Sequence, residues 1–422
     1  MRVMVVGGGG REHALVWKIS RNSSISKIYA VPGNAGVCGM AHCPSIDITD
    51  NAALARFAED EQVDLTVVGP EAPLTNGIVD EFVAHGLRVF GPNKEAAQME
   101  GSKKFAKSIM KKAGIVTAAS DTFTDCNKAL AYLEEVGAPI VVKADGLAAG
   151  KGVTVCENIK TAQAAVKECL IDKRFGDAGE TVMIEEYLQG PELTVMALTD
   201  GETVLPMLPA QDHKPAFDGD AGPNTGGMGA YSPVPKVSQK TLDWIEDNVL
   251  KKTVAALRGE GVDYKGVLYA GLILTDDGPK VLEFNARFGD PEAQVVLPLL
   301  ESDLVEIMLA LTEGNLKEYK LNWSKKICVS VVMASGGYPG DYPTGKEITG
   351  LTNLGDIGGL LVFHAGTKLV DGKTVTAGGR VLNITGMGKD VHEARDKAYA
   401  AIERIKFDGA FYRTDIALKA IQ

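Results

Sequence analysis

Val141-Val142-Lys143-Ala144-Asp145-Gly146-Leu147-Ala148-Ala149-Gly150-Lys151-Gly152-Val153 joins an apolar run that closes on a lysine to a glycine-loaded loop that carries a second lysine. The β-branched residues on either side, in 139–143 and 153–156, predict two strands of a hairpin with a deformable tip. A lysine fixed at the end of a buried strand can neutralise phosphate oxygens while the N–H groups of such a tip close over them. The string is not the Gly-x-x-x-x-Gly-Lys-Ser/Thr loop, because Val153 follows Gly152. Taken alone it is equally a surface hairpin with two solvated lysines, so the surrounding strings decide.

Downstream, Val182-Met183-Ile184-Glu185-Glu186-Tyr187-Leu188 reads as a strand running into an irregular segment, with Glu192 a little beyond. A strand edge offers a carbonyl and an N–H to adenine, and a later carboxylate accepts both ribose hydroxyls. A second hairpin is predicted where 266–275 and 280–286 flank Asp276-Asp277-Gly278. The strand period of two puts Val281, Glu283 and Asn285 on one face and Leu282, Phe284 and Ala286 on the other. A carboxylate and an amide oxygen side by side are hard ligands suited to magnesium, which completes its shell with waters and nucleotide phosphates. Arg287 and Asp290 follow at once. The residues alone therefore point to magnesium-ATP and a carboxylate to be activated.

Upstream, the first hundred residues alternate short apolar runs (2–6, 28–31, 65–68, 88–90) with helical patterns (12–20, 52–59, 78–85), which predicts a doubly wound parallel sheet. Three loops follow its strands: Gly7-Gly8-Gly9-Gly10, Pro32-Gly33-Asn34-Ala35-Gly36 and Gly69-Pro70-Glu71-Ala72-Pro73. Loops at strand carboxyl ends converge on one crevice, so the three are expected to form a pocket for a phosphate-bearing ligand. A dinucleotide is disfavoured: Glu12 or His13 stands where the third glycine belongs, and Val31-Pro32-Gly33 supplies no acidic residue for a ribose. A domain boundary is expected near residue 100, with a lysine-rich helix over 102–113 opening the next unit. A third unit is expected from 326, where a strand (327–334), a Gly/Pro-rich loop, a strand near 379–385 and a helix over 389–405 suggest a small α+β domain.

Composition narrows the class. The chain has 422 residues, 45% hydrophobic and 23% charged, with formal net charge -11. No basic stripe is present to track phosphates, so a nucleic-acid partner is not expected. Met1 to Val6 runs into glycines without the pattern of a secretory signal, and no apolar stretch approaches a membrane span. A cytoplasmic enzyme with no membrane partner follows, with a monomer favoured. The chain ends at Gln422 soon after its last helix, so no fused downstream enzyme is expected. Cys38, Cys43, Cys126, Cys156, Cys169 and Cys328 show no Cys-x-x-Cys pair and read as reduced thiols.

Lys103, the Lys143 strand with its loop, the Glu185/Leu188/Glu192 segment and Glu283-x-Asn285, in that order, resemble the ATP-grasp fold. Together with Arg11-Glu12-His13, Gln211-Asp212-His213-Lys214, 222–229 (Gly-Pro-Asn-Thr-Gly-Gly-Met-Gly) and 283–292, they resemble the phosphoribosylamine-glycine ligase family over essentially the whole chain. The resemblance implies a doubly wound N-terminal domain (1–100), an ATP-grasp domain (101–325, with a lid at about 115–190) and a C-terminal α+β domain (326–422). It implies ligation of glycine to 5-phosphoribosylamine with ATP, through glycyl phosphate, in purine biosynthesis.

By the same resemblance, Lys103 and Lys143 neutralise phosphates beneath Gly146, Gly150 and Gly152, and Glu185, Glu186, Leu188 and Glu192 hold the nucleoside. Glu283 and Asn285 hold Mg2+ or Mn2+, and Arg287, with Lys143, acts on the transferred phosphoryl group. Asp212, Lys214, Gly226 and Asp290 belong with the substrates, Asp212 taking the glycine ammonium. Gly8, Gly9, Asn34, Gly69 and Glu71 take phosphoribosylamine. Two positions depart from the pattern: Pro215 replaces a frequent arginine, and Ala270 stands where many ATP-grasp enzymes carry a further acidic ligand. Rival readings are another ATP-grasp ligase with a different acceptor, a nucleotide-binding regulator without turnover, and a dinucleotide-dependent oxidoreductase.

Overall fold

The computed structural model describes residues 1–148 and 152–421. Its first sheet is parallel throughout, with strands in the order Lys27–Pro32, Arg2–Gly7, Leu65–Val68, Val89–Phe90. The apolar run at the N-terminus is continuous because both faces are covered. Val3 and Val5 enter the core that holds Leu15, while Met4 and Val6 enter the one that holds Tyr29 and Leu54. The three glycine-bearing loops leave this sheet at one end.

The glycine hairpin belongs to a lid sheet ordered Ser120–Phe123, Val182–Glu186, Ile140–Ala144, Val153–Cys156, antiparallel at each pairing. Its alternation sorts the chemistry. Ile140, Val142 and Ala144 pack with Val182 and Ile184 beneath the helices Cys126–Val136 and Ile159–Leu170, whereas Val141, Lys143, Met183 and Glu185 face a cavity. Asp125 and Asn158 cap those helices by accepting N–H bonds from Lys128 and Thr161.

Opposite the lid, a sheet ordered Val204–Pro206, Glu192–Thr199, Gly266–Thr275, Gly278–Asn285 forms the cavity floor. Here one expectation is corrected. Gly271 pairs with Glu283 but Leu272 pairs with Val281, so Leu282 is an extra residue in the ladder. The bulge turns Val281 into the core beside Phe284, and leaves Leu282, Glu283 and Asn285 on the cavity.

The C-terminal sheet runs Gln211–Asp212, Gly229–Ser232, Ile327–Ala334, Arg380–Gly388, Leu360–His364, with the helix Val391–Ile402 packed on it. Two of its strands thus come from the middle of the sequence, a pairing of distant segments that periodicity does not reveal. A second correction concerns the thiols. Cys38 and Cys43 form a disulfide, because the turn Val37–Gly39 and the bridge between Tyr29 and His42 fold the loop back to a Cα separation of 5.6 Å. Cys126, Cys156, Cys169 and Cys328 are free.

Candidate active site

Lid, floor and the N-terminal domain enclose a cavity of about 530 Å3. Of the residues singled out in the sequence, Lys103, Lys143, Gly146, Gly152, Glu185, Glu186, Leu188, Glu192, Asp212, Lys214, Gly226, Glu283, Asn285, Arg287, Asp290 and Glu71 line it. Gly150 lies outside the described residues. Gly8, Gly9, Asn34 and Gly69 do not line this cavity; they form the adjoining loop cluster.

Under the lid, the Glu185 carboxylate is buried and forms ion pairs with both Lys143 and Lys107. Lys107 also donates to Thr117 Oγ1 (2.8 Å) and the Ala118 carbonyl (2.9 Å), tying its helix to the segment that leads into the strand Ser120–Phe123. Lys103 Nζ reaches the Gly146 carbonyl (3.4 Å), so it stands under the glycine loop. Burial, reinforced by Lys143, lowers the Lys103 ammonium. Glu186 is exposed, yet its backbone N–H donates to the Ala119 carbonyl (2.8 Å), and Leu188 packs with Ala118 and Ile273 into a small apolar patch beside the cavity.

On the floor, burial would raise the Glu283 carboxyl, but Lys214, Lys143, Lys103 and Arg287 outweigh it and hold the group below its ordinary value. Burial would lower Lys214, but Asp212 and Glu192 keep it well above, and its direct ion pair is with Glu192. Among the described residues Asp212 has no such contact. Burial, with Glu292, Glu192 and Glu283 nearby, pushes it up to about 7 despite Lys214.

Arg287 sits between two carboxylates, Glu100 (2.9 Å) and Glu71 (3.5 Å). Asp290 accepts from the Arg11 backbone N–H (3.1 Å) and from Gln294 (2.8 Å), and Arg380 lies 3.3 Å from it. Arg380 also donates to the carbonyls of Gly226 (2.6 Å) and Asp290 (2.8 Å), so it fastens the 222–229 loop to the segment that follows the strand Gly278–Asn285. Glu100, Lys107, Arg380, Arg11 and Glu292 were not picked out as site residues. Arg11 and Glu292 fall within the quoted motifs but carried no role there, whereas Glu100, Lys107 and Arg380 lie outside them and reach the cavity only through the fold.

In the loop cluster, a side chain at Gly8 would overlap the Gly33 carbonyl, and one at Gly69 would overlap the Glu12 carboxylate. Glu12 accepts the Gly9 N–H (2.6 Å) and pairs with Arg11 (2.6 Å). The Asn34 amide donates to the carbonyls of Gly8 (2.9 Å) and His364 (2.8 Å) and accepts from the N–H groups of Gly36 and Val37 (each 3.0 Å). Asn34 therefore clips two N-terminal loops to the C-terminal sheet. The expected convergence of these loops is present.

Comparison with known proteins fits the same three parts. Family models match in order: the phosphoribosylglycinamide synthetase N domain over residues 1–100, its ATP-grasp (A) domain over 101–293 and its C domain over 328–419. The chain belongs to the phosphoribosylglycinamide synthetase family. It is 51% identical over 417 residues to phosphoribosylamine–glycine ligase of Caldanaerobacter subterraneus, covering 99% of each chain. It is 52% identical to the trifunctional purine biosynthetic protein adenosine-3 of Gallus gallus, of which it spans 42%. The crystal structure of phosphoribosylamine–glycine ligase from Thermotoga maritima superposes with a TM-score of 0.87 at 35% identity, covering 99% of this chain and 100% of that one. The fold is ATP-grasp, flanked by the two other synthetase domains. Among the described residues no helix is long and apolar enough to cross a membrane.

Proposed function

We propose that this cavity joins glycine to 5-phosphoribosylamine in two steps. The chain is an ATP-dependent carboxylate–amine ligase of purine biosynthesis. In the first step a glycine carboxylate oxygen attacks the γ-phosphorus, the bond to ADP breaks, and glycyl phosphate forms. In the second the amine attacks the acyl carbon, phosphate departs with the amine's proton, and glycinamide ribonucleotide remains.

The observation that carries this reading is the set of cations, Lys103, Lys143, Lys214 and Arg287, that line the cavity with Glu283 and hold its carboxyl below its ordinary value. Phosphoryl transfer asks chiefly for positioning and charge stabilisation. Lys103 and Lys143 take the phosphates below the glycine loop, and Arg287 takes the transferred group. The segment 185–188 holds adenine, and Glu192, a cavity residue, takes the ribose.

Glu283 and Asn285 fit a divalent cation, magnesium or manganese, because the bulge turns both toward the cavity and the lysines keep the carboxylate charged. Among the described residues no cluster of three acidic, histidine or cysteine ligands would hold a metal alone, which suits a cation that shares its shell with phosphates. Such an ion would supply neutralisation of the triphosphate.

Asp212, once ionised, holds the glycine ammonium, and the 226–229 turn limits the room for a side chain. The Gly8–Gly9, Asn34, Gly69 and Glu71 cluster takes the phosphoribosylamine, with Lys214 and Asp290 between the two substrates. The residues assigned to both substrates come from a single chain, which supports a monomeric working unit, and a biosynthetic ligase activity supports a cytoplasmic location. Purified protein is expected to release phosphate only when ATP, glycine and freshly made phosphoribosylamine are all present. Equal turnover with bicarbonate or formate in place of glycine would sink the assignment.

A further inference from the structure

Arg287 meets two carboxylates of different kinds. Glu71 comes from the N-terminal domain, is 31% exposed, and stands 3.5 Å from Arg287 Nε and 3.9 Å from Arg11 Nη2. Neither contact is a well-formed hydrogen bond, and among the described residues Arg287 Nε has no hydrogen-bond partner. Glu100 is 6% exposed, holds Arg287 Nη2 at 2.9 Å with one oxygen, and accepts the Ala286 backbone N–H at 2.7 Å with the other. One buried carboxylate thus grips a guanidinium and the peptide just before it. That peptide ends the strand carrying Glu283 and Asn285.

The asymmetry has a chemical reading. A long contact to a partly exposed carboxylate is exchangeable, whereas a short charge-assisted bond in a dry site is not. Arriving phosphoryl oxygens would replace Glu71 on the free edge of the guanidinium. Glu100 would stay. We propose that Glu100 is the positioning residue for phosphoryl transfer: it touches no substrate, aims the Arg287 guanidinium at the γ-phosphoryl group, and fixes the end of the metal strand. The proposal rests on the reading of Arg287 given above.

Glu100→Gln preserves the volume and an acceptor for the Ala286 N–H but removes the charge that orients Arg287. Calorimetry with magnesium and a non-hydrolysable ATP analogue, and separately with ADP, reads the effect. The triphosphate analogue is expected to bind about 10–100-fold more weakly, as for other residues that orient a site from behind, with ADP affinity unchanged. The turnover number should fall while the KM for glycine holds. In an Arg287→Lys background the same substitution should add little, because the two residues act as one unit.

Equal weakening of both nucleotides, unchanged affinity for the triphosphate, or additive effects in the double variant would overturn the proposal. If thermal melting shows Glu100→Gln unfolded, Glu100→Asp serves, since the shorter carboxylate keeps its charge but cannot reach both partners. The same selective loss is expected there. A wild-type protein that discriminates the two nucleotides but ligates nothing would refute the proposed reaction and leave Glu100 testable. Ligation with an unselective Glu100→Gln would do the reverse.

Discussion

Lys143 and Glu185 stand diagonally across two antiparallel strands of the lid as a buried ion pair, and the same carboxylate also takes Lys107. One acidic residue therefore holds two cations on the lid side of the cavity. Such a site is preorganised for a polyanion, because the cations need not be gathered when it binds.

Removing that carboxylate leaves a buried ammonium group, Lys143, facing a partly buried one, Lys107. Glu185→Gln is expected to lower stability by about 1–3 kcal/mol and to raise the KM for ATP. Urea denaturation with and without nucleotide checks both, and saturating ATP should recover part of the loss. An unchanged denaturation midpoint would mean that the ion pairs do not support the lid.

Glu283→Ala should abolish ligation while the protein stays folded, since the cavity-facing carboxylate is not part of the apolar core. A titration of turnover against magnesium is the check. Undiminished activity at limiting magnesium would remove Glu283 from the metal site.

The sequence showed the glycine hairpin, the parallel N-terminal sheet and the order of the ATP-grasp strings, because each depends on neighbours in the chain. Glu283 and Asn285 were legible as a pair for that reason. Val281 was not, since the bulge at Leu282 exists only in the register with Gly271–Leu272. Glu100 lies 186 residues from its partner Ala286, and Arg380 lies 154 from Gly226. No local period could link them. The strands Gln211–Asp212 and Gly229–Ser232 join a sheet whose other members begin at Ile327, for the same reason.

Asp212 gives the protein a pH dependence of definite sign. Its carboxyl is raised from 3.8 to about 7 in the fold, chiefly by burial. The folded state then binds this proton more tightly than the unfolded chain, so the contribution to stability is full below the unfolded value and is lost as pH rises toward 7. Activity runs the other way, because only the ionised group holds an ammonium. Turnover at low glycine should climb through neutral pH, and Asp212→Asn should remove both the climb and the stability slope. A variant with the same pH profile as the parent would exclude this role.

The Cys38–Cys43 bond predicts four alkylatable thiols under denaturing, non-reducing conditions, the count of free cysteines, rising to six after reduction. Mass spectrometry reads the number directly. Closing so short a loop is worth about 2 kcal/mol in the chain-entropy picture, so Cys43→Ser should lower stability by a similar amount. Six thiols without reductant would contradict the bond.

The central claim is that ATP activates the glycine carboxylate by phosphorylating it, and oxygen labelling tests this most directly. Glycine labelled with oxygen-18 in its carboxylate, turned over with ATP and phosphoribosylamine, is expected to give phosphate carrying one labelled oxygen and glycinamide ribonucleotide retaining the other. Unlabelled phosphate would contradict the account.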